Sequence, residues 1–159
     1  MIELDFPIEA PTEEPAPAGL AEALGATPTY TGRSRFDCFV EVESEQTLRN
    51  LAPDFGRLAK VECRGVIVTA RSADAKFDFV SRFFAPASGI NEDSVTGSAH
   101  CTLADYWRTR LGKSEFTAYQ ASPRGGIIQV RSRGDRVLLA GEAVLVARGE
   151  LTGAAGTAG

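Results

Sequence analysis

At 159 residues, 43% of them apolar, the chain is long enough for one domain with a real core and too short for two large ones. A formal net charge of −4 and a pI near 5.1 speak against a nucleic-acid partner, because phosphate binding needs a concentrated basic surface; here the basic residues are scattered, as at Arg131, Arg133 and Arg136. Cys38, Cys63 and Cys101 are widely spaced, with no Cys-x-x-Cys and one histidine, which argues against a metal site or a disulfide framework. No apolar run approaches the roughly 20 residues that span a bilayer, and no basic-then-apolar leader opens the sequence, so no membrane partner is expected and the cytoplasm is the default.

Ile2 to Phe6 alternates as a short strand stopped by Pro7, and the Pro- and Glu-rich stretch from Glu9 to Pro17 is fit for neither helix nor central strand. That order places the end of another unit and a linker at 1–17. Ala18 to Leu24 reads as a short helix closed by Gly25. From Thr29 the period becomes two, with Phe36, Cys38, Val40 and Val42 on one face and Asp37, Phe39, Glu41 and Glu43 on the other. Ser44 caps a helix carrying Leu48 and Leu51 that Pro53 ends, and Asp54 caps a second through Leu58. Gly65 to Ala70 and Phe77 to Phe84 are strands joined at Ser72-Ala73-Asp74.

Ala99 to Leu111 is a helix with Leu103, Tyr106, Trp107 and Leu111 at helical spacing. Strands follow at Glu115 to Gln120, Gly126 to Arg131, Arg136 to Leu139 and Glu142 to Val146, with turns at Arg133-Gly134-Asp135 and Ala140-Gly141. The tail from Thr152 to Gly159, built of Gly, Ala and Thr, reads as disordered. The fold class is α+β, a mostly antiparallel curved sheet with one apolar helix, about 96–111, filling it.

Chemistry concentrates at residues 89–100. A turn rich in Gly, Asn and Asp there leads into a helix beginning near Thr96 or Gly97. The first N–H groups of a helix lack internal partners and sit at the positive end of its dipole, so Thr96, Gly97, Ser98 and Ala99 suit a carboxylate or enolate oxygen. Glu92 and Asp93 stand where a carboxylate could exchange a proton with a developing anion. Asp, Ser and Thr at such a place are equally ordinary N-caps. Lone His100 reads as a packed or exposed residue rather than an acid/base, and Tyr106 and Trp107 as core. In Gln120-Ala121-Ser122-Pro123-Arg124-Gly125-Gly126, Arg124 could bind a substrate carboxylate or be a surface residue of a hairpin connection.

The runs Arg82-Phe83-Phe84-Ala85-Pro86, Gly89-Ile90-Asn91-Glu92-Asp93-Ser94-Val95-Thr96-Gly97-Ser98-Ala99-His100, Tyr106-Trp107, Gln120 to Gly126 and Gly141-Glu142-Ala143-Val144 resemble, in order and spacing, the second half of PhzF-type (phenazine-biosynthesis-like) isomerases. The resemblance covers roughly Ile2 to Leu151, and Leu4-Asp5-Phe6-Pro7 is similar to the strand closing the first lobe in that family. It implies a diaminopimelate epimerase-like lobe at 18–151, with Ala99 to Leu111 as its central helix. It further implies a proton shift on a small carboxylic acid without cofactor. Asp93 and Ser98 match the second-lobe residues that bind substrate or help move the proton; Gly97 and Ser98 would give N–H groups to its carboxylate. Ser94 stands where the family usually has Pro, and the first-lobe acid/base glutamate and Gly-His-Pro segment have no counterpart in these 159 residues. Two expectations follow: an isomerase or epimerase whose first lobe comes from elsewhere, or a non-catalytic acid-binding module that dimerises through its exposed cleft face.

Overall fold

The computed structural model describes residues 1–149; the tail expected to be disordered lies outside them. In chain order the elements are β1 (Ile2–Pro7), β2 (Thr12–Glu13), α1 (Leu20–Leu24), β3 (Tyr30–Arg33), β4 (Cys38–Glu41), α2 (Glu45–Arg49), α3 (Phe55–Leu58), β5 (Val66–Arg71), β6 (Phe79–Ala85), β7 (Ile90–Asp93), α4 (Gly97–Leu111), β8 (Glu115–Gln120), β9 (Gly126–Arg133) and β10 (Arg136–Gly141). The strands make one ten-stranded sheet, ordered β1-β10-β9-β8-β6-β5-β4-β3-β2 with β7 attached to β6. Among the described residues only the β4–β5 and β6–β8 pairs are parallel. The sheet ends at free edges on β1 and β2 and does not close into a barrel.

Helix α4 is what the sheet curves around. Ala99, Leu103, Tyr106 and Trp107 recur at helical spacing, and Gly112, at φ 63, stops the helix and donates its N–H to the Arg108 carbonyl. From Ala99 to Trp107 every side chain but that of Asp105 is buried, as befits a helix enclosed on most sides. One cluster joins Ala99, Leu103, Tyr106 and Trp107 to Phe39, Ile67 and Phe79 from one half of the sheet and to Phe116, Val130 and Leu139 from the other. Contact with both halves requires curvature. Trp107 lies parallel to Phe79 at 5.5 Å and its Nε1–H donates to Thr69 Oγ1 at 3.0 Å. Tyr106 donates its hydroxyl to Glu41 at 2.9 Å.

Strands β4 to β6 are buried on both faces. Phe39, Ile67 and Phe79 face α4, while Cys38, Val40, Val66, Val68 and Phe84 pack against Leu20, Leu24, Leu48 and Leu58 of α1 to α3. Ser44 and Asp54 cap α2 and α3 as expected, accepting from the backbone N–H of Thr47 and Arg57.

The structure departs from the sequence reading at several places. Glu142 to Val146 is not a strand: residues 142–149 have no regular structure, and Val144, Leu145 and Val146 are exposed. The edge of β10 that they would need is taken by β1, register Ile2↔Gly141 to Pro7↔Arg136. For the same reason Ala140-Gly141 is the end of β10 and no turn. Within the Pro- and Glu-rich stretch, expected to be a linker, Thr12–Glu13 adds a short edge strand to β3. The turn after Ala85 contains β7, paired with β6 through Phe83↔Asp93 and Ala85↔Ile90 across an irregularity. Among the described residues no helix is long and apolar enough to cross a membrane.

Candidate functional site

The loop between β7 and α4 is held by a buried amide. Gln120, at the end of β8 and fully buried, accepts the Thr96 N–H on Oε1 at 2.8 Å. Its Nε2 donates to the Asp93 carbonyl at 2.9 Å and to Thr96 Oγ1 at 3.1 Å. These three bonds fasten the backbone on both sides of Ser94 and Val95. Ser122 adds a fourth tie, donating to the Ser94 carbonyl at 2.8 Å and accepting the Gly125 N–H at 3.1 Å.

Thr96 is the N-cap residue of α4, yet its side chain does not cap the helix. Its hydroxyl donates to Asp93 Oδ2 at 2.7 Å instead. The capping reading of this Thr is therefore not what the fold adopts. Gly97, Ser98 and Ala99 have no described side chain accepting from their N–H groups, and the first helical bond is His100 N–H to the Thr96 carbonyl at 3.4 Å. An uncapped positive end of a 15-residue helix is thus available to an anion.

A groove of about 770 Å³ opens at this end, lined by Val95, Gly97, Arg124, Gly126, Leu139 and residues of β1 among others. Gly97 and Arg124, from elements separate in sequence, meet there. Arg124 is exposed. Gly125, at φ 70, and Gly126 are demanded by packing, since a Cβ would fall 2.2 Å from Tyr119 Oη at the first and 2.3 Å from Val95 Cγ2 at the second. Gly97 is different: its φ is not positive, and a Cβ would meet only Leu139 Cδ1, at 3.9 Å. The fold does not need glycine there.

The remaining candidates are distributed around this point. Ser98 is exposed and accepts from the Arg64 guanidinium at 3.3 Å, leaving its own proton to donate. Ala99 is buried, so only its backbone can face a ligand. Asp93 is half-buried and keeps Oδ1 unbonded while Oδ2 is held by Thr96. Asp93 and Ser98 flank the helix start, each hydrogen-bonded to a different residue, Thr96 and Arg64. Glu92 is turned away: Arg82 takes both its oxygens, at 2.7 and 2.9 Å, and also donates to the Leu48 and Leu51 carbonyls at the end of α2. Both side chains are about 11% exposed, and the pair fixes β7 to α2.

Gln120, Arg64 and Asp37 are parts of the arrangement that sequence reasoning did not single out. Arg64 is held by Asp37 in a two-pronged pair, 2.8 and 2.5 Å. Asp37 is 2% exposed, and a buried acid before a strand is a signal that something basic must meet it. His100 is completely buried. Its Nδ1–H donates to the Thr96 carbonyl at 2.8 Å, and burial pushes its pKa down to about 4 against the opposing pull of that carbonyl. It is neutral packing at ordinary pH, the first of the two places, packed or exposed, that the sequence left open for it. Among the described residues no group of His, Cys, Asp and Glu side chains is placed to hold a metal ion.

Comparison with known proteins finds relatives over most of the chain. The family model described as phenazine biosynthesis-like protein matches residues 7–149. An uncharacterized isomerase of Halalkalibacterium halodurans is 52% identical over 151 residues, 94% of this chain and 57% of that protein. One of Pseudomonas aeruginosa is 51% identical over 148 residues, 93% and 56% respectively. The crystal structure of a PhzF-family phenazine biosynthesis protein from Enterococcus faecalis superposes with a TM-score of 0.85 at 40% identity, over 94% of this chain and 57% of that one. The chain spans somewhat over half the length of the curated relatives it matches.

Proposed function

The chain belongs to the phenazine biosynthesis-like protein family, with a diaminopimelate epimerase-like fold, and from that premise we propose that it forms one wall of an isomerase or epimerase that moves a proton within a small carboxylic acid. The observation that carries this reading is the uncapped start of α4 beside an open groove. Three backbone N–H groups there have no acceptor among the described residues, a glycine that the fold does not require leaves room for close approach, and Arg124 lines the same groove. A carboxylate bound to these groups gains charge-assisted hydrogen bonds of about 1.5–3 kcal/mol each and up to about 1 kcal/mol from the helix dipole.

In this reading the carboxylate rests on the N–H groups of Gly97 and Ser98, with Ala99 behind them. The Ser98 hydroxyl, its lone pair engaged by Arg64, donates to substrate. Asp93, oriented by Thr96, presents Oδ1 to the carbon or oxygen at which the proton is exchanged. The chemistry needs no cofactor if a second acid/base stands on the opposite face; the family resemblance implies a glutamate from the lobe that the longer relatives carry and this chain does not span. That lobe would also exclude water.

The test has two stages. Titration with benzoate and with amino-acid carboxylates should show binding weakened about tenfold by Ser98→Ala, the loss of one hydrogen bond. Solvent deuterium incorporation into a bound carbon acid should require both the first lobe of the Halalkalibacterium halodurans relative, added as a separate chain, and Asp93. Binding indifferent to both Ser98→Ala and Asp93→Ala would remove this site. A second reading, a carboxylate-binding module without catalysis, is favoured by the exposed apolar Ile2, Leu4 and Ile127 around the groove; binding with no exchange under any addition would select it, and sedimentation would show whether two copies cover that face.

A further inference from the structure

A second grouping of reactive side chains lies on the Arg64 side of the α4 terminus. Cys38 opens β4 and is 1% exposed; Cys63, which is only half-buried, packs against the apolar cluster that contains Cys38. Backbone bonds set this approach. The Cys38 N–H donates to the Gly65 carbonyl at 2.9 Å and the Arg64 N–H to the Phe36 carbonyl at 3.1 Å, so residues 63–65 run beside 36–38 before β4 and β5 pair at Cys38↔Val66. Arg33 fixes the preceding residue, donating to the Glu62 carbonyl at 2.9 Å. Both sulfurs are thiols. Each cysteine adjoins one member of the ion pair that reaches the helix terminus: Asp37 precedes Cys38, Arg64 follows Cys63, and Arg64 donates to Ser98.

We propose that Cys38 and Cys63 are a reversible thiol–disulfide site, oxidised by a peroxide or a low-molecular-weight disulfide, whose state sets how Arg64 is presented to Ser98. The accessible thiol is the one suited to react first. The Cys63 pKa is drawn down to about 7, chiefly by the Cys38 thiol, with the Cys38 backbone N–H and Arg33 helping against burial; that of Cys38 is pushed up, chiefly by the same contact and then by burial. With hydrogen peroxide, the Cys63 thiolate attacks one peroxide oxygen, the O–O bond breaks and Cys63 becomes a sulfenic acid as hydroxide leaves and takes a proton. Cys38 sulfur then attacks the Cys63 sulfur, loses its proton, and displaces the sulfenic oxygen as water. Two thiols and one peroxide give one disulfide and two waters. A small disulfide reaches the same product by two exchanges, releasing two small thiols.

The bond acts on the site through distance. A disulfide holds its sulfurs about 2.05 Å apart, closer than two thiols can rest, so closing the bond draws the Cys63 side chain, and with it the 62–64 segment, toward β4. Arg64 is tied at both backbone and side chain to 36–37, and any such shift changes its reach to Ser98. Cys101 is the internal control. It is buried, has no cysteine beside it, and burial pushes its pKa up to about 11.

The full chain is treated with hydrogen peroxide and, separately, with oxidised glutathione, then alkylated, digested without reductant and mapped by mass spectrometry. A peptide linking Cys38 to Cys63, lost on adding dithiothreitol, is expected, with Cys101 alkylated throughout after denaturation. In ¹⁵N spectra of the folded protein the Arg64 Nε–H and Ser98 amide signals should shift between the two forms, and Cys63→Ser should abolish that shift under the same oxidants. Oxidation that stops at a glutathione adduct or a higher oxide of Cys63, with the Cys38 thiol intact, overturns the proposal. So does a disulfide that forms only after unfolding, or one that leaves the Arg64 and Ser98 signals unmoved. No carboxylate enters these measurements, so their failure and that of the proposed function are separable.

Discussion

Gly97→Ala should make the protein more stable and its groove less able to bind an acid. The backbone at Gly97 lies outside the left-handed region, and an added methyl would meet only Leu139 Cδ1 at 3.9 Å, ordinary van der Waals contact. Alanine therefore fits without strain and removes conformational freedom from the unfolded chain, stabilising by about 0.5 kcal/mol on the usual scale for compatible glycines. The same methyl enters the groove that Gly97 and Leu139 line, where a carboxylate must come within roughly 3 Å of the Gly97 and Ser98 N–H groups. Losing one such charge-assisted bond, about 1.5 kcal/mol or more, corresponds to at least a tenfold rise in Kd. Urea unfolding gives the first quantity and calorimetric titration with benzoate the second. Unchanged affinity would refute the reasoning, because the glycine would then have no ligand to accommodate; a loss of more than about 1 kcal/mol of stability would show that the fold requires it after all.

Two further substitutions separate support from chemistry. Glu92→Gln leaves Arg82 without its carboxylate in a place only about 11% exposed, so unfolding free energy should fall by on the order of 3 kcal/mol, while the folded variant binds benzoate within twofold of the native chain; a selective loss of binding would return Glu92 to the site. His100 gives a pH dependence. Its pKa in the folded protein is pushed down to about 4 by burial, below the roughly 6.5 of an unfolded histidine. Between those values the unfolded chain binds the extra proton, so this contribution is complete above about pH 6.5 and falls away toward pH 4, by on the order of 3 kcal/mol. Urea unfolding from pH 7 to 4.5 should be flatter for His100→Asn, which keeps a donor toward the Thr96 carbonyl; parallel curves would contradict the assignment.

Much of the scaffold was legible because its signals are local. Leu103, Tyr106 and Trp107 followed by Gly112 mark α4, and Cys38, Val40 and Val42 alternating with Phe39 mark β4. Both patterns survive because a helix stripe or a strand face is buried whatever its partner. The errors come where the partner decides. Ile90–Asp93 has too few apolar residues to declare a strand, and β6 makes it one. Glu142 to Val146 has the composition of a strand and no edge to join.

For the site, the residue types around 93–98 were sufficient to mark a helix start, and family resemblance pointed within it to Asp93 and Ser98 as the residues to test. What they could not reveal is whether the start is capped. That depends on the Thr96 hydroxyl choosing Asp93 over its own helix, on Gln120 reaching back 24 residues to fasten the turn, and on Arg64 and buried Asp37 arriving beside Ser98 from another strand connection. Spacing along a chain records which groups can hydrogen-bond within a turn or two; which of several acceptors a hydroxyl or guanidinium meets is settled by the sheet that brings distant segments together and by the need to pair every polar group it buries.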